Sequence, residues 1–236
     1  MLITVIDPSF EILSNTDGLL GLIERAGRTC YKSEDKITPD SAEKFVRMLI
    51  KNGHESVLEH ASISVLITGD RSMSHQLVRH RIAAYSQSSQ RFCDYSKLGF
   101  QVVCPPSIGV PSGKYYFDTK TNTLVNVYID NVTFVLSAKH YQWIQNRYND
   151  CLEYLQFRAE GILPEDARSC LPNATKTEIA TTFNLRMWRH VFKERALNPK
   201  AQWQIKKIMQ GILRKFAEKL PCVFEDQLEK LNAVCN

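Results

Sequence analysis

The stretch ASISVLIT (61–68) alternates: Ala61, Ile63, Val65 and Ile67 fall on one face, Ser62, Ser64 and Thr68 on the other. A side-chain period of two marks a strand with one buried face, so the chain must build a sheet. Elsewhere the period changes to that of a helix. TPDSAEKFVRMLIKNG (38–53) carries a buried stripe of Ala42, Phe45, Val46 and Leu49, with Thr38 placed to cap, Pro39 in the first turn and Gly53 past the end. Leu19, Leu20, Ile23 and Ala26 predict a helix after Asp17. A long helix is predicted from about Asn131 to Ala159, with Phe134, Ala138, Tyr141, Tyr148, Leu152, Leu155 and Ala159 as its stripe and Gly161 at its end. Ala201 to Leu220 is a last amphipathic helix on Ile205, Ile208, Ile212 and Phe216. Leu2–Ile6, FQVVC (100–104) and EIATTFNL (178–185) read as extended, and YYFDTKTNTLVNVY (115–128) as a hairpin or the entry to a helix. RSMSHQLVRHR (71–81) reads as a short helix that puts Gln76, Arg79 and His80 on one face, and Ser86–Gln90 as a loop or irregular extended segment. Pro164-Glu165-Asp166 opens another short helix, and RMWRHVFKERAL (186–197) is helical up to Pro199. The pattern is one mixed α/β domain over residues 1–236.

Composition narrows the function classes. At 236 residues, 44% hydrophobic and 23% charged, the chain is expected to fold throughout. A net charge of +5 suits anionic small molecules and is too small to demand nucleic acid. Seven cysteines (30, 93, 104, 151, 170, 222, 235) form no C-x-x-C pair, which argues against a zinc ribbon or a disulfide scaffold. Reduced thiols and a cytoplasmic location fit best. MLITVIDPSF is apolar too briefly for a signal peptide or a span, and no later run is long enough to cross a membrane.

Several motifs fail on spacing. The histidines of HESVLEH (54–60) are six apart, whereas a zincin needs i and i+4. GVPSGKY (109–115) is one residue short of a P-loop and lacks its Ser/Thr. No G-x-G-x-x-G or G-x-S-x-G occurs. No metal site is expected.

Three clusters remain: His54 and Ser56; Gln76, Arg79, His80 and Arg81 continuing through Gln87, Ser88 and Ser89 to Arg91; and Arg168, Asn184, Arg186, His190 and Arg195. Arginine is the preferred bidentate phosphate ligand, and Ser, Gln and Asn add neutral hydrogen-bonding groups. Gln76 to Arg91 holds no carboxylate, unlike a glycosidase pair or a magnesium–phosphate site. Each residue alone also fits a solvated face, a surface ion pair or a turn. Ser89 lacks the His-Asp relay a nucleophile needs, which leaves it as a hydrogen-bond donor. A basic nucleic-acid-binding module using Arg79–Arg91 and stacking tyrosines, or a flavin-free nucleotide-binding protein, would use the same residues.

RHRIAAYSQSSQR (79–91) resembles the R-H-R-x7-S signature of the flavin-dependent thymidylate synthases, with Arg79-His80-Arg81 and then Ser89. HESVLEHASISV, PEDARSCLP, NLRMWRHVFKER and AQWQIKKI resemble further segments of that family in the same order, from about Arg25 to Phe224. Residues 109–131 align with nothing in it and read as an insertion. The resemblance implies a mixed sheet flanked by long helices, not a Rossmann fold. It also implies a homotetramer whose active sites are shared between subunits. The implied reaction is reductive methylation of dUMP to dTMP. Methylenetetrahydrofolate gives the carbon, FAD reduced by NADPH gives the hydride, and tetrahydrofolate is released.

The resemblance also assigns roles. Ser56, Arg79, His80, Arg81, Gln87, Asn184, Arg186 and His190 correspond to FAD contacts. Gln76, Arg79, Gln87, Ser88, Ser89, Gln90, Arg91, Arg168 and Arg195 correspond to dUMP contacts, with Ser89 and Arg91 near the phosphate. Arg195 corresponds to the residue that polarises the uracil ring, and His54 to a histidine near the flavin. The apolar IAAY (82–85) reads as a packed spacer between two ligand sites. Four positions depart from the family pattern: Gln87 stands where many members have Glu, Ser86 and His190 where Asn occurs, and Pro199 where a polar residue is usual.

Overall fold

The computed structural model describes residues 1–129 and 135–235, and the chain divides into two compact units. The first comprises Met1–Ser9, Thr68–His75 and Gln87–Ile179; the second comprises Phe10–Ile67, Gln76–Ser86 and Ala180–Asn236. The predicted helix start at Asn131 and its stripe residue Phe134 lie outside the described residues.

The elements in chain order are β1 (Leu2–Ile6), β2 (Ser9–Ile12), α1 (Leu19–Tyr31), α2 (Ser41–Lys51), β3 (Ser62–Asp70), α3 (Arg71–Leu77), β4 (Ala84–Gln87), α4 (Tyr95–Leu98), β5 (Phe100–Val103), β6 (Gly113–Asp118), β7 (Thr123–Tyr128), α5 (Ala138–Ala159), α6 (Pro164–Ala167), β8 (Lys176–Asn184), α7 (Leu185–Val191), α8 (Trp203–Lys219) and α9 (Pro221–Cys235).

In the first unit the strand order is β5-β1-β6-β7. β1 pairs parallel with β5 and antiparallel with β6, and β6 and β7 form an antiparallel hairpin, so the sheet is mixed. The alternative of a helix entry at 115–128 is thereby set aside. Ile3, Val5, Tyr115 and Phe117 are buried in one cluster with Trp143, Ile144, Tyr148 and Tyr154 of α5. Phe117 and Tyr148 stack at 4.3 Å. Ser137 and His140 close a capping box at the start of α5.

The second sheet has the order β2-β3-β8-β4. The alternation read at 61–68 is observed: Ile63, Val65 and Ile67 of β3 are buried. In the second unit Trp188 of α7, Phe216 of α8, Phe183, Phe192 and Phe224 form an aromatic core of edge and stacked pairs. The Trp188 indole N–H donates to the Ile63 carbonyl at 3.0 Å, joining helix and strand.

Three local expectations are corrected. The helix predicted over 71–81 ends at Leu77. In a continued helix the Leu77 carbonyl would accept the N–H of residue 81. It accepts instead from the His80 N–H at 3.1 Å and the Tyr85 hydroxyl at 2.8 Å. Gln76, Arg79 and His80 therefore do not share a helix face. Thr38 does not cap α2: its own N–H donates to Ser41 Oγ at 2.9 Å, and that hydroxyl lies 2.9 Å from the Glu24 carboxylate. The apolar pattern after Leu220 was not read as a helix, yet Pro221 opens α9, and Val223, Phe224 and Leu231 are buried.

Cys30, Cys93, Cys104, Cys151, Cys170 and Cys222 are free thiols. Burial pushes the thiols of Cys170 and Cys222 up to about 11, so neither is a thiolate at neutral pH.

A Cβ at Gly113 would sit 2.5 Å from the Tyr128 carbonyl across the hairpin, whereas one at Gly21 in α1 would meet nothing within 4 Å. Gly113→Ala is expected to lower stability by about 1–3 kcal/mol through overpacking. Gly21→Ala is expected to raise it by up to ~1 kcal/mol through helix propensity. Thermal unfolding of the two variants beside wild type checks both signs.

Candidate active site

The second unit brings two distant segments to one cleft. Asn184 ends β8 and its side-chain oxygen accepts the Met187 N–H at 2.8 Å, so the strand is followed at once by a capped α7. On that helix Arg186 and His190 are four apart and exposed, while Trp188 and Arg189 are buried. The turn that follows α3 supplies Arg79, His80 and Arg81. These six residues line a cleft of about 470 Å³. They are six of the eight residues assigned to FAD, from positions more than a hundred residues apart in the sequence.

Three further residues line the cleft without having been singled out: Glu59, Ile82 and Met187. Glu59 Oε1 pairs with Arg186 Nη1 at 2.6 Å. Glu59 is one of the two acidic residues of HESVLEH, the other being Glu55. Ile82 overturns the packed-spacer reading of IAAY, because it is 69% exposed. Tyr85 is the residue of that stretch that does fix geometry, through its hydroxyl.

His80 is 7% exposed. Burial first, then the Arg195 cation and His190, lower its pKa from 6.5 to about 4, against a weaker opposing pull from Glu194. The imidazole is therefore neutral at ordinary pH. Arg195 lies in a π-helical stretch, Phe192–Leu197, that continues α7. Its Nε–H donates to His80 Nε2 at 3.1 Å, and Nη2 approaches the Gln76 carbonyl at 3.5 Å. Both acceptors are uncharged, so neither neutralises the guanidinium.

In the first unit the loop after β4 is held tightly. Gln87 Nε2 donates to Ser74 Oγ and Thr177 Oγ1, both at 2.9 Å. The Ser88 N–H donates to the Glu178 carbonyl at 2.9 Å. The Ser89 carbonyl accepts from the N–H groups of Phe92 and Cys93, and its Oγ accepts the Arg91 N–H at 3.2 Å. Gln90 bonds to the Tyr95 side chain. Arg91 Nε donates to Glu165 Oε2 at 2.6 Å, and Arg168 Nε donates to the Glu165 carbonyl at 2.9 Å. Two of the arginines assigned to dUMP thus converge on one residue.

Not every assigned residue joins a cluster. His54 and Ser56 are exposed and do not line the cleft, although Glu59 of the same 3-10 turn, Glu55–His60, does. Gln87 does not line it either; its amide nitrogen is used by Ser74 and Thr177. Among the described residues no group of three or more His, Cys, Asp or Glu could hold a metal ion.

The family model described as "Thymidylate synthase complementing protein" matches residues 11–222. A flavin-dependent thymidylate synthase from Mycolicibacterium vanbaalenii is 39% identical over 223 residues, covering 93% of this chain and 84% of that protein. The chain belongs to the flavin-dependent thymidylate synthase family. Another member, from Mycobacterium tuberculosis, is 36% identical over 222 residues with the same coverage. The crystal structure of a UMP/dUMP methylase, PolB, from Streptomyces cacaoi, bound with 5-Br dUMP, shares the fold. Its TM-score is 0.70 at 21% identity, covering 94% of this chain and 95% of that one. Within this family fold the mixed sheet and long helices take the place of a Rossmann sheet.

The depressed pKa of His80 has a stability consequence. Below about pH 6.5 the unfolded chain protonates this side chain, while the folded chain does so only near 4, so the folded state binds fewer protons across that window. Stability from this group is full above the window and falls as pH drops through it, by a few kcal/mol at most at about 1.4 kcal/mol per unit. Urea unfolding at about pH 7 and about pH 5 should show a smaller acid loss for His80→Gln than for wild type. Equal losses would contradict the assignment.

Proposed function

We propose that this chain methylates dUMP reductively to dTMP, with methylenetetrahydrofolate as carbon donor, FAD as hydride carrier and NADPH as reductant, releasing tetrahydrofolate. The observation that supports this reading most directly is the convergence of Arg79, His80, Arg81, Asn184, Arg186 and His190 on one cleft. A methylene unit needs a hydride to become a methyl group; because the folate leaves as tetrahydrofolate and is not oxidised to dihydrofolate, that hydride comes from a separate carrier, FAD reduced by NADPH.

The cleft residues fit FAD. The guanidinium forks of Arg79, Arg81 and Arg186 suit a diphosphate, Asn184 and His190 offer neutral hydrogen bonds, and Ile82 and Met187 offer apolar contact. When bound, the flavin supplies the hydride. The chain's own residues bind, orient and distribute charge. Arg195, held by neutral acceptors, keeps its full charge to stabilise negative charge on the uracil ring as C5 becomes nucleophilic. Arg91 and Arg168, tied by Nε to Glu165, have their Nη groups to offer the nucleotide phosphate. Ser88, Ser89 and Gln90 add hydrogen-bonding groups to that subsite, and Ser89 is a phosphate donor rather than a nucleophile. Gln76, whose carbonyl lies 3.5 Å from Arg195 Nη2, keeps its assignment to dUMP. Ser56, Gln87 and His54 keep their assignments to FAD, to both ligands and to the flavin-proximal folate, respectively. On the family resemblance we also infer a single functional domain, a homotetramer with shared sites and a cytoplasmic location. None of the described helices is long and apolar enough to cross a membrane.

Tritium release from dUMP labelled at C5, with FAD, NADPH and methylenetetrahydrofolate, tests the reaction. Arg195→Ala is expected to lose ~10²–10³-fold in turnover while still taking up FAD; wild-type turnover in that variant would refute the role. Arg81→Ala should instead weaken FAD binding by roughly tenfold or more, read by flavin fluorescence titration. Colourless protein that takes up no FAD and binds single-stranded nucleic acid with a steep salt slope would overturn the whole reading.

A further inference from the structure

We propose that His80 is the positioning residue for Arg195: a buried, uncharged acceptor whose Nε2 fixes the orientation of the guanidinium. The inference rests on the reading of Arg195 as the group beside the uracil ring. It changes the part played by His80, from a cofactor contact to the hinge between the cofactor cleft and the substrate-polarising charge.

The geometry supports it at three levels. Arg195 Nε–H points its hydrogen bond at His80 Nε2 at 3.1 Å. A guanidinium can only donate, so Nε2 must carry a lone pair, and the single ring proton sits on Nδ1. His80 thereby accepts from Arg195 on one side and keeps a donor on a residue that lines the cleft.

The main chain of His80 is fixed. Its N–H donates to the Leu77 carbonyl at 3.1 Å, and its carbonyl lies 2.7 Å from the Tyr85 hydroxyl, whose one proton it shares with the Leu77 carbonyl. The ring itself is packed edge-on against Phe183 at 6.5 Å and His190 at 5.9 Å. An acceptor fixed in backbone and ring can set a direction, which a flexible surface group cannot.

The second acceptor for Arg195 belongs to the same turn. The Gln76 carbonyl lies in the last turn of α3, where helix carbonyls have no partner within the helix. The early end of α3 at Leu77 is what frees this carbonyl and swings His80 toward Arg195. The stop that a periodicity reading misses is therefore part of the site.

The test uses full-length, FAD-loaded protein and two readouts. In ¹⁵N-edited spectra the Arg195 Nε–H signal is identified by its loss in Arg195→Lys. It should move and exchange faster in His80→Ala, and persist in His80→Gln, whose amide oxygen can take the place of Nε2. In the tritium-release assay His80→Ala should lose ~100-fold in kcat, the scale expected of a misplaced catalytic group, with KM for dUMP changed only a few-fold. His80→Gln should recover most of the loss.

An unchanged Arg195 signal in His80→Ala, or wild-type kcat in that variant once loaded with FAD, would overturn the proposal. So would a loss in His80→Gln equal to that in His80→Ala. If wild type releases no tritium, the methylation reading fails instead, and the Arg195 signal still decides whether His80 holds the guanidinium.

Discussion

The guanidinium of Arg189 is buried between Glu55 and Asp226, with side-chain exposure of only 9%, and it also donates to the Val223 carbonyl. The Arg189 carbonyl in turn accepts Gln227 Nε2 at 2.8 Å. One residue of α7 is thus bonded to the 3-10 turn that carries Glu59 and, through Val223, Asp226 and Gln227, to α9. Removing one partner of such a buried pair typically costs about 3–5 kcal/mol, because it strands a charge. Here it would also release the helix that carries Arg186 and His190. The partial exposure of Asp226, whose carboxyl stays below its usual range beside Arg189 despite burial, softens that cost.

With α7 fixed, the cleft becomes a problem of charge distribution. Three arginines line it against one carboxylate, Glu59, which is already committed to Arg186 at 2.6 Å. His80 adds no charge because burial keeps it neutral. The excess is positive. Glu59 gives the Arg186 guanidinium a direction, while Arg79 and Arg81 are exposed at the cleft.

How much of this was legible depended on whether the signal was local. The strand at 62–70 and the helices α2 and α8 announced themselves by period, and the arginines by type. The stripe predicted for α5 is corrected: Ala138, Tyr141 and Ala159 are exposed, and Trp143, Ile144, Tyr148, Cys151 and Tyr154 form the buried face against the first sheet. What the sequence did not display was decided by tertiary bonds. α3 stops at Leu77 because the carbonyl it would have used is taken by His80 and Tyr85. Ile82 looked like spacer because apolar residues usually pack, yet it is exposed at the cleft. Glu59 carried no assignment, because its partner Arg186 is more than a hundred residues away in the chain. Arg189 could not be told from Arg186 by type; only the position of α9, itself missed, distinguishes the buried arginine from the exposed one.

The R-H-R-x7-S stretch illustrates why a motif can read as one patch and be something else. Its front, Arg79 to Ser86, belongs to one compact unit, and its back, Gln87 to Arg91, to the other. Within each unit, residues of β8 or its end serve the site: Thr177 and Glu178 hold Gln87 and Ser88, and Asn184 lines the cleft while capping α7. The polar back is satisfied internally, and its Gln and Ser groups spend most of their hydrogen bonds on shaping the loop. That leaves Arg91 and Arg168 as charged groups oriented by Glu165. The basic front is the reverse case: Arg79, Arg81 and Ile82 are exposed at the cleft, while His80 is buried beside them. The spacing in the motif is therefore not a ruler between two equivalent contacts. It joins a segment that presents charge to one whose folding makes an arginine pair possible.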